Sequence, residues 1–111
     1  MDVVFYRKQN GKEPAKEDVL GLPTDERASA LERLSGVQQY GFGYTRVMFK
    51  PVKGKLWEIK YRYKNQHRLL YCMYNSDTMV ILHYVKKKTQ KLEKKDKELA
   101  EKRMMEVLKN D

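Results

Sequence analysis

The sequence predicts an α+β domain: a small antiparallel sheet of about four strands, with two helices ahead of it, one helix behind it, and the helices on one side of the sheet. Three observations point there. After a short first strand, the apolar period is helical up to Gly41, changes to two from residue 45, and becomes helical again from residue 91. Short turn signals, "KGK", "NQH" and "NSD", separate the period-two runs, as in an antiparallel meander. A chain of 111 residues that is 41% hydrophobic suits one modest core, so residues 1–111 are read as a single domain.

Each element has a local reason. Val3 to Tyr6 is a β-branched and aromatic run, read as a strand over about residues 2–8, and Asn10-Gly11 turns the chain after it. Glu13-Pro14 resembles a helix start, since Pro is tolerated in the first turn, and Gly21 would end that helix. Thr24 is a candidate N-cap for a second helix, Asp25 and Glu26 suit the positive end of its dipole, and Gly41 would stop it. Ala30, Leu31, Leu34 and Val37 form its apolar stripe. The aromatics of "YGFGY" are read as packing groups, because no helix signal follows to make the glycines a phosphate loop.

In "LWEIKYRYK", Trp57, Ile59, Tyr61 and Tyr63 share one face, and Glu58, Lys60, Arg62 and Lys64 share the other. "RLLYCMY" and "MVILHYV" are apolar on both faces, which implies central positions or cover on both sides. Leu99, Ala100, Met104, Val107 and Leu108 then form the stripe of a final charged helix.

The charge balance narrows function. Lys and Arg number 24 against 15 Asp and Glu, a formal +9, and a small domain this basic suits a polyanion or an acidic partner. The plain alternative is a solubilising surface. Cys72 is the single cysteine, so no internal disulfide can form, in keeping with a reducing cytoplasm. It lies in an apolar run and is read as a small core residue. No apolar run approaches the ~20 residues a membrane span needs, and the N-terminal apolar run is too short for a signal peptide.

Two histidines and one cysteine cannot make a standard zinc constellation, and no Walker loop or Gly-x-Ser-x-Gly is present. Neither a metal nor a cofactor is expected. Chemistry then falls to Lys, Arg, Glu, His and Tyr, a set suited to breaking RNA without a metal. RNA carries its own nucleophile, the 2′-hydroxyl beside the scissile phosphate. Positioning and charge stabilisation supply most of the rate, and proton transfers add roughly 10²–10⁴-fold.

Glu58, Lys60 and Arg62 stand at i, i+2 and i+4 on one strand face, Arg68 opens the next strand, and His83 with Lys86–Lys88 closes the last. Adjacent strands would gather them on one surface. Glu58, Lys60, Arg68, His83 and Lys87 are the catalytic candidates. Lys53, Lys55, Arg62, Lys86, Lys88 and Lys91 are the RNA-binding candidates. Each has a structural alternative: a cross-strand charge ladder for Glu58 with Lys60 and Arg62, a satisfied core histidine for His83, and an edge-protecting cluster for Lys86–Lys88. Truncating Arg68 is expected to remove activity and leave the fold intact.

Leu56-Trp57-Glu58-Ile59-Lys60, then Arg68-Leu69-Leu70-Tyr71, then Ile81-Leu82-His83, Lys87-Lys88 and Thr89-Gln90-Lys91 form an ordered series. That series resembles the core of the HigB-like branch of the RelE/ParE toxin superfamily, and "VVFYRKQNGKEP" resembles its opening. The resemblance implies a RelE-like fold and a type II toxin, commonly a metal-free, ribosome-dependent mRNA endoribonuclease. Its partners would be mRNA, the ribosome and a cognate antitoxin, a small helix-turn-helix protein. It maps the basic cleavage residues onto Lys60, Arg68 and Lys87, with Glu58 and His83 as proton movers. Lys60 replaces the usual Arg, which exchanges a two-pronged fork for a point charge. Val85 replaces the usual Phe, and Leu92-Glu93 replaces Thr-Pro. A ParE-like toxin with a protein target and a phage RNA- or ribosome-binding module are the competing readings.

Overall fold

The computed structural model describes residues 1–87 and 91–109. Among them the chain runs β1 (Asp2–Phe5), α1 (Pro14–Leu20), α2 (Thr24–Tyr40), β2 (Met48–Lys53), β3 (Leu56–Tyr63), β4 (Asn65–Asn75), β5 (Thr78–Lys87) and α3 (Lys94–Lys109), with a 3₁₀ turn at Gly41–Gly43. The α+β class is as the sequence predicts. The sheet, however, has five strands in the order β1-β5-β4-β3-β2, and it is mixed. β2 to β5 form an antiparallel meander, whereas β1 lies parallel to β5 with Phe5 opposite Ile81. No helix among the described residues is long and apolar enough to cross a membrane.

The helices cover both faces of the sheet, not one. α1 and α2 lie over Ile59, Tyr61, Leu69, Tyr71, Met79, Ile81 and Tyr84. On the other face, α3 lies over Leu56, Leu70, Cys72, Val80, Leu82 and Val85. This double cover is why β4 and β5 read as apolar on both faces. It also covers part of the charged face of β3: Glu58 is buried and Lys60 half-buried, while Arg62 stays exposed. In α2, Ala30, Leu34 and Val37 are buried, while Leu31 faces solvent. In α3, Ala100 is buried but Leu99 is exposed, and Arg103 takes an interior place.

The ends of the elements follow local chemistry. Gly41 closes α2 at φ +59°, a backbone conformation open to glycine at little steric cost. Pro23, not Thr24, occupies the N-cap position. Pro51 lies within β2, which is tolerable because β2 is an edge strand. Phe42 packs edge-on to Phe49, so the aromatics around Gly41 and Gly43 do serve packing.

One irregularity in β5 sets the direction of its last side chains. Leu70 pairs with His83, and the next pair is Tyr71 with Ile81, so Leu82 is an extra residue in the strand. Alternation therefore shifts by one. Met79 and Ile81 face α1 and α2, but beyond Leu82 it is Tyr84 that does so, while Val85 faces α3. α3 supports the bulge directly: the buried Arg103 guanidinium donates to the Leu82 carbonyl at 2.8 Å. Arg103→Met leaves that carbonyl without its donor and should cost about 1–3 kcal/mol in unfolding free energy, read from urea denaturation.

A polar network joins α2 to the same end of β5. Buried Glu26 accepts from Lys86 at 2.8 Å and from Asn65 at 3.3 Å. His67, fully buried and stacked on Tyr61, sits between the Tyr84 hydroxyl at 2.7 Å and the Tyr63 carbonyl at 2.9 Å. The carbonyl can only accept, so Nε2 carries a proton and Nδ1 accepts from Tyr84, which satisfies the neutral ring. Burial holds the His67 pKa below its ordinary 6.5, so the unfolded chain takes up a proton first as pH falls below 6.5. The Lys86 bond holds Glu26 below its ordinary 4.5, so its contribution is present above 4.5 and lost as pH falls through the folded value. Stability should decline in two stages on acidification, followed by urea midpoints against pH. His67→Gln shrinks the first stage and Glu26→Gln the second.

Candidate functional site

The candidate site is the α3-facing surface of the sheet. Cross-strand partners share a face, so the register arranges this surface in rows. One row runs Lys50, Glu58, Leu70, His83; the next runs Met48, Lys60, Arg68, Val85; the third runs Arg62, Gln66, Lys87. Neighbouring strands stand about 4.8 Å apart, and same-face neighbours along a strand about 7 Å apart. The five catalytic candidates, Glu58, Lys60, Arg68, His83 and Lys87, thus lie on one patch. The Leu82 bulge is what brings His83 and Lys87 there, because simple alternation from Ile81 would aim both at α1 and α2.

The RNA-binding candidates are dispersed. Arg62 stands exposed at the rim of the third row. Lys53 ends β2 and lies 3.7 Å from Glu101 of α3, Lys55 is in the β2–β3 turn, and Lys91 is exposed before α3. Lys86 is not on this surface; it projects to the opposite face, where Glu26 holds it. Lys88 lies outside the described residues, as do Thr89 and Gln90 of the ordered series.

The centre of the patch is a buried ion pair. A single nitrogen of Arg68, Nη1, lies 3.3 Å from both carboxylate oxygens of Glu58, and both side chains are about 5% exposed. The geometry is not the parallel fork of two nitrogens on two oxygens. Arg68 Nε and Nη2 are buried and have no hydrogen-bond partner among the described residues. They are strong donors in a low-dielectric setting, suited to an anion. Lys60 stands directly opposite Arg68 with no carboxylate at ion-pair distance among the described residues. Its pKa is lowered, first by burial and then by the charges of Arg68 and Lys50.

The other side of the patch is closed by acids near the start of α3. His83 Nε2 lies 2.8 Å from Asp96 Oδ1, and Lys87 Nζ lies 2.6 Å from Glu93 and 3.6 Å from Asp96 Oδ2. The Lys87 contact holds Glu93 below the usual carboxylate range. Cys72 is buried in the core beneath α3, and burial pushes its thiol up to about 11, so it is inert packing.

Three participants were not singled out in the sequence. Lys50 was hidden because Pro51 argues against a strand, although its spacing from the "KGK" turn places it opposite Glu58 once β2 is allowed as an edge. Gln66 belonged to what read as a turn and is instead the second residue of β4. Asp96 carried no local signal, since its position depends on the packing of α3 against β5.

A five-stranded α+β domain with a cationic patch under its last helix is the class that fold and site define. The family model for phage-derived Gp49-like proteins (DUF891) matches residues 17–105. The chain belongs to that family, a group of toxin-like proteins related to the RelE/HigB type. No curated protein matches the chain.

The burial of the Arg68–Glu58 pair changes the expectation for Arg68→Ala, which would strand a buried carboxylate and disturb the fold as well as the site. Glu58→Gln likewise leaves the Arg68 charge without its partner and should lower stability by roughly 3–5 kcal/mol, whereas replacing both residues by Met should cost far less. Thermal and urea unfolding of the three variants checks this.

Proposed function

We propose that the protein is the toxin of a type II toxin–antitoxin pair and a metal-free mRNA endoribonuclease acting on translating ribosomes. The observation that carries this reading is the convergence of Lys60, Arg68, His83 and Lys87 on one sheet face, with two buried Arg68 donors unpartnered. Membership in a toxin-like family supports it.

The chemistry follows from the residue types. The 2′-oxygen forms a bond to phosphorus while the bond from phosphorus to the 5′-oxygen breaks, giving a cyclic phosphate and a 5′-hydroxyl. Arg68, Lys60 and Lys87 neutralise the charge that grows on the phosphate oxygens. A proton acceptor takes the 2′-hydroxyl hydrogen, and a donor delivers one to the 5′-oxygen. Glu58 is committed to Arg68, so His83 is better placed to move protons. A protein antitoxin with an acidic docking segment would suit the +9 chain.

One observation favours a second reading. The patch carries its own counter-charges, Glu58 on Arg68 and Glu93 with Asp96 on Lys87. A surface balanced in this way also suits a ParE-like toxin that poisons a protein target, or a phage RNA- or ribosome-binding module, without cleavage. Primer extension on mRNA in a translating extract separates them: ribosome-dependent cuts support the nuclease, and growth arrest with intact mRNA overturns it. Lys60→Ala should slow cleavage by about 10²-fold, because it removes one charge aimed at the transition state. The fold should be retained, since Lys60 is in no ion pair among the described residues.

A further inference from the structure

We propose that Asp96 is the positioning residue of a His83–Asp96 dyad that presents the imidazole Nδ1 as the proton acceptor for the 2′-hydroxyl. The inference rests on the nuclease reading and names the group that opens its reaction.

The argument starts from the two ring nitrogens. Nε2 lies 2.8 Å from Asp96 Oδ1, and both side chains are only 12–13% exposed. An ionised carboxylate can only accept, so Nε2 carries the hydrogen and the lone pair of a neutral ring is on Nδ1. Nδ1 is buried and has no hydrogen-bond partner among the described residues. A buried nitrogen without a partner costs stability, and such atoms concentrate where function needs them. The contrast within this protein is direct: His67, also buried, has both of its ring nitrogens satisfied.

The surroundings fit the assignment. His83 shares its row with Glu58, one row from Arg68 and Lys60, so a phosphate held by those cations would bring its sugar near the ring. Lys87, 3.6 Å from Asp96 Oδ2, helps hold the carboxylate in place. In the step itself, Nδ1 takes the proton of the 2′-hydroxyl as the new bond to phosphorus forms. The imidazolium so created is stabilised by the Asp96 carboxylate on the far side of the ring. Nδ1 is shielded from solvent in the ligand-free protein, so the RNA displaces the groups that now cover it.

The test uses the full chain on mRNA-programmed ribosomes under single-turnover conditions. Asp96→Asn keeps the size of the side chain and should slow cleavage by about 10²-fold. Affinity for an uncleavable mRNA with a 2′-deoxy sugar at the cut should not fall, because the variant removes a counter-charge beside Lys87, so the loss is confined to the chemical step. In a His83→Ala background, Asp96→Asn should have no further effect, because the two act as one unit. Asp96→Glu, which keeps the carboxylate, should recover part of the loss. Nitrogen-15 spectra of the wild-type ring should show the proton on Nε2, a readout that needs no variant. A proton on Nδ1, additive losses in the double variant, or faster cleavage by Asp96→Asn would overturn the dyad, the last by making Asp96 a plug on the site. A wild-type protein that cuts no mRNA would instead overturn the nuclease reading from which the dyad takes its role.

Discussion

The arrangement of this protein depends on one inserted residue in one strand. Leu82 has no partner in the β4 ladder, and its carbonyl is taken by Arg103 from α3. The extra residue reverses which side chains face which helix from His83 onward. Without it, His83 and Lys87 would press into the apolar layer under α1 and α2, and Tyr84 would leave its place beside His67. With it, polar side chains meet Asp96 of α3 and Glu93 just before that helix, and Lys86 reaches Glu26 on the far side. A bulge and a buried arginine thus sort the end of β5 between two chemically different layers.

The buried charges show how the patch is balanced. Arg68 is desolvated, and one carboxylate on a single nitrogen only partly offsets that cost. A phosphate would meet donors already aimed and already stripped of water, which favours charge stabilisation over simple attraction. The same acids that keep the ligand-free protein stable compete with any incoming anion. On the nuclease proposal, affinity for RNA would be a difference between two sets of ion pairs, and it would fall with salt for as many contacts as the RNA gains.

Much of this was legible in the sequence. The change from a helical period to a period of two marked where the sheet begins, and the double apolar character of β4 and β5 left open cover on both faces or central positions, although the helices were expected on one side. Adjacent strands sufficed to gather Glu58, Lys60 and Arg68, whereas His83 and Lys87 reach the same face only through the Leu82 bulge. What the sequence could not show was long-range. Parallel pairing of β1 with β5 leaves no mark in either strand, since each is simply β-branched and apolar. The bulge is equally silent, because "VILHYV" reads as an unbroken strand until its pairing with "RLLYCM" is fixed. The burial of Glu58 went unseen for a related reason: alternation says which residues share a face, and only the docking of α3 says that the face is covered. Asp96 belongs with these, since a helix stripe gives its apolar side and not which strand residue a given acid will reach.

The parallel seam between β1 and β5 also bears on how the chain assembles as it is made. Asp2 to Phe5 are made well before their partners Thr78 to Ile81, which follow more than 70 residues later. Closing so large a loop is slow compared with forming a hairpin or a helix turn. The meander can form without waiting, but the N-terminal strand cannot dock until β5 has appeared, and α3 cannot lay its acids on the patch until after that. A nascent chain would therefore expose an open sheet edge and bare cations for a time before the finished molecule covers them, an interval in which a chaperone or a co-translated partner could engage it.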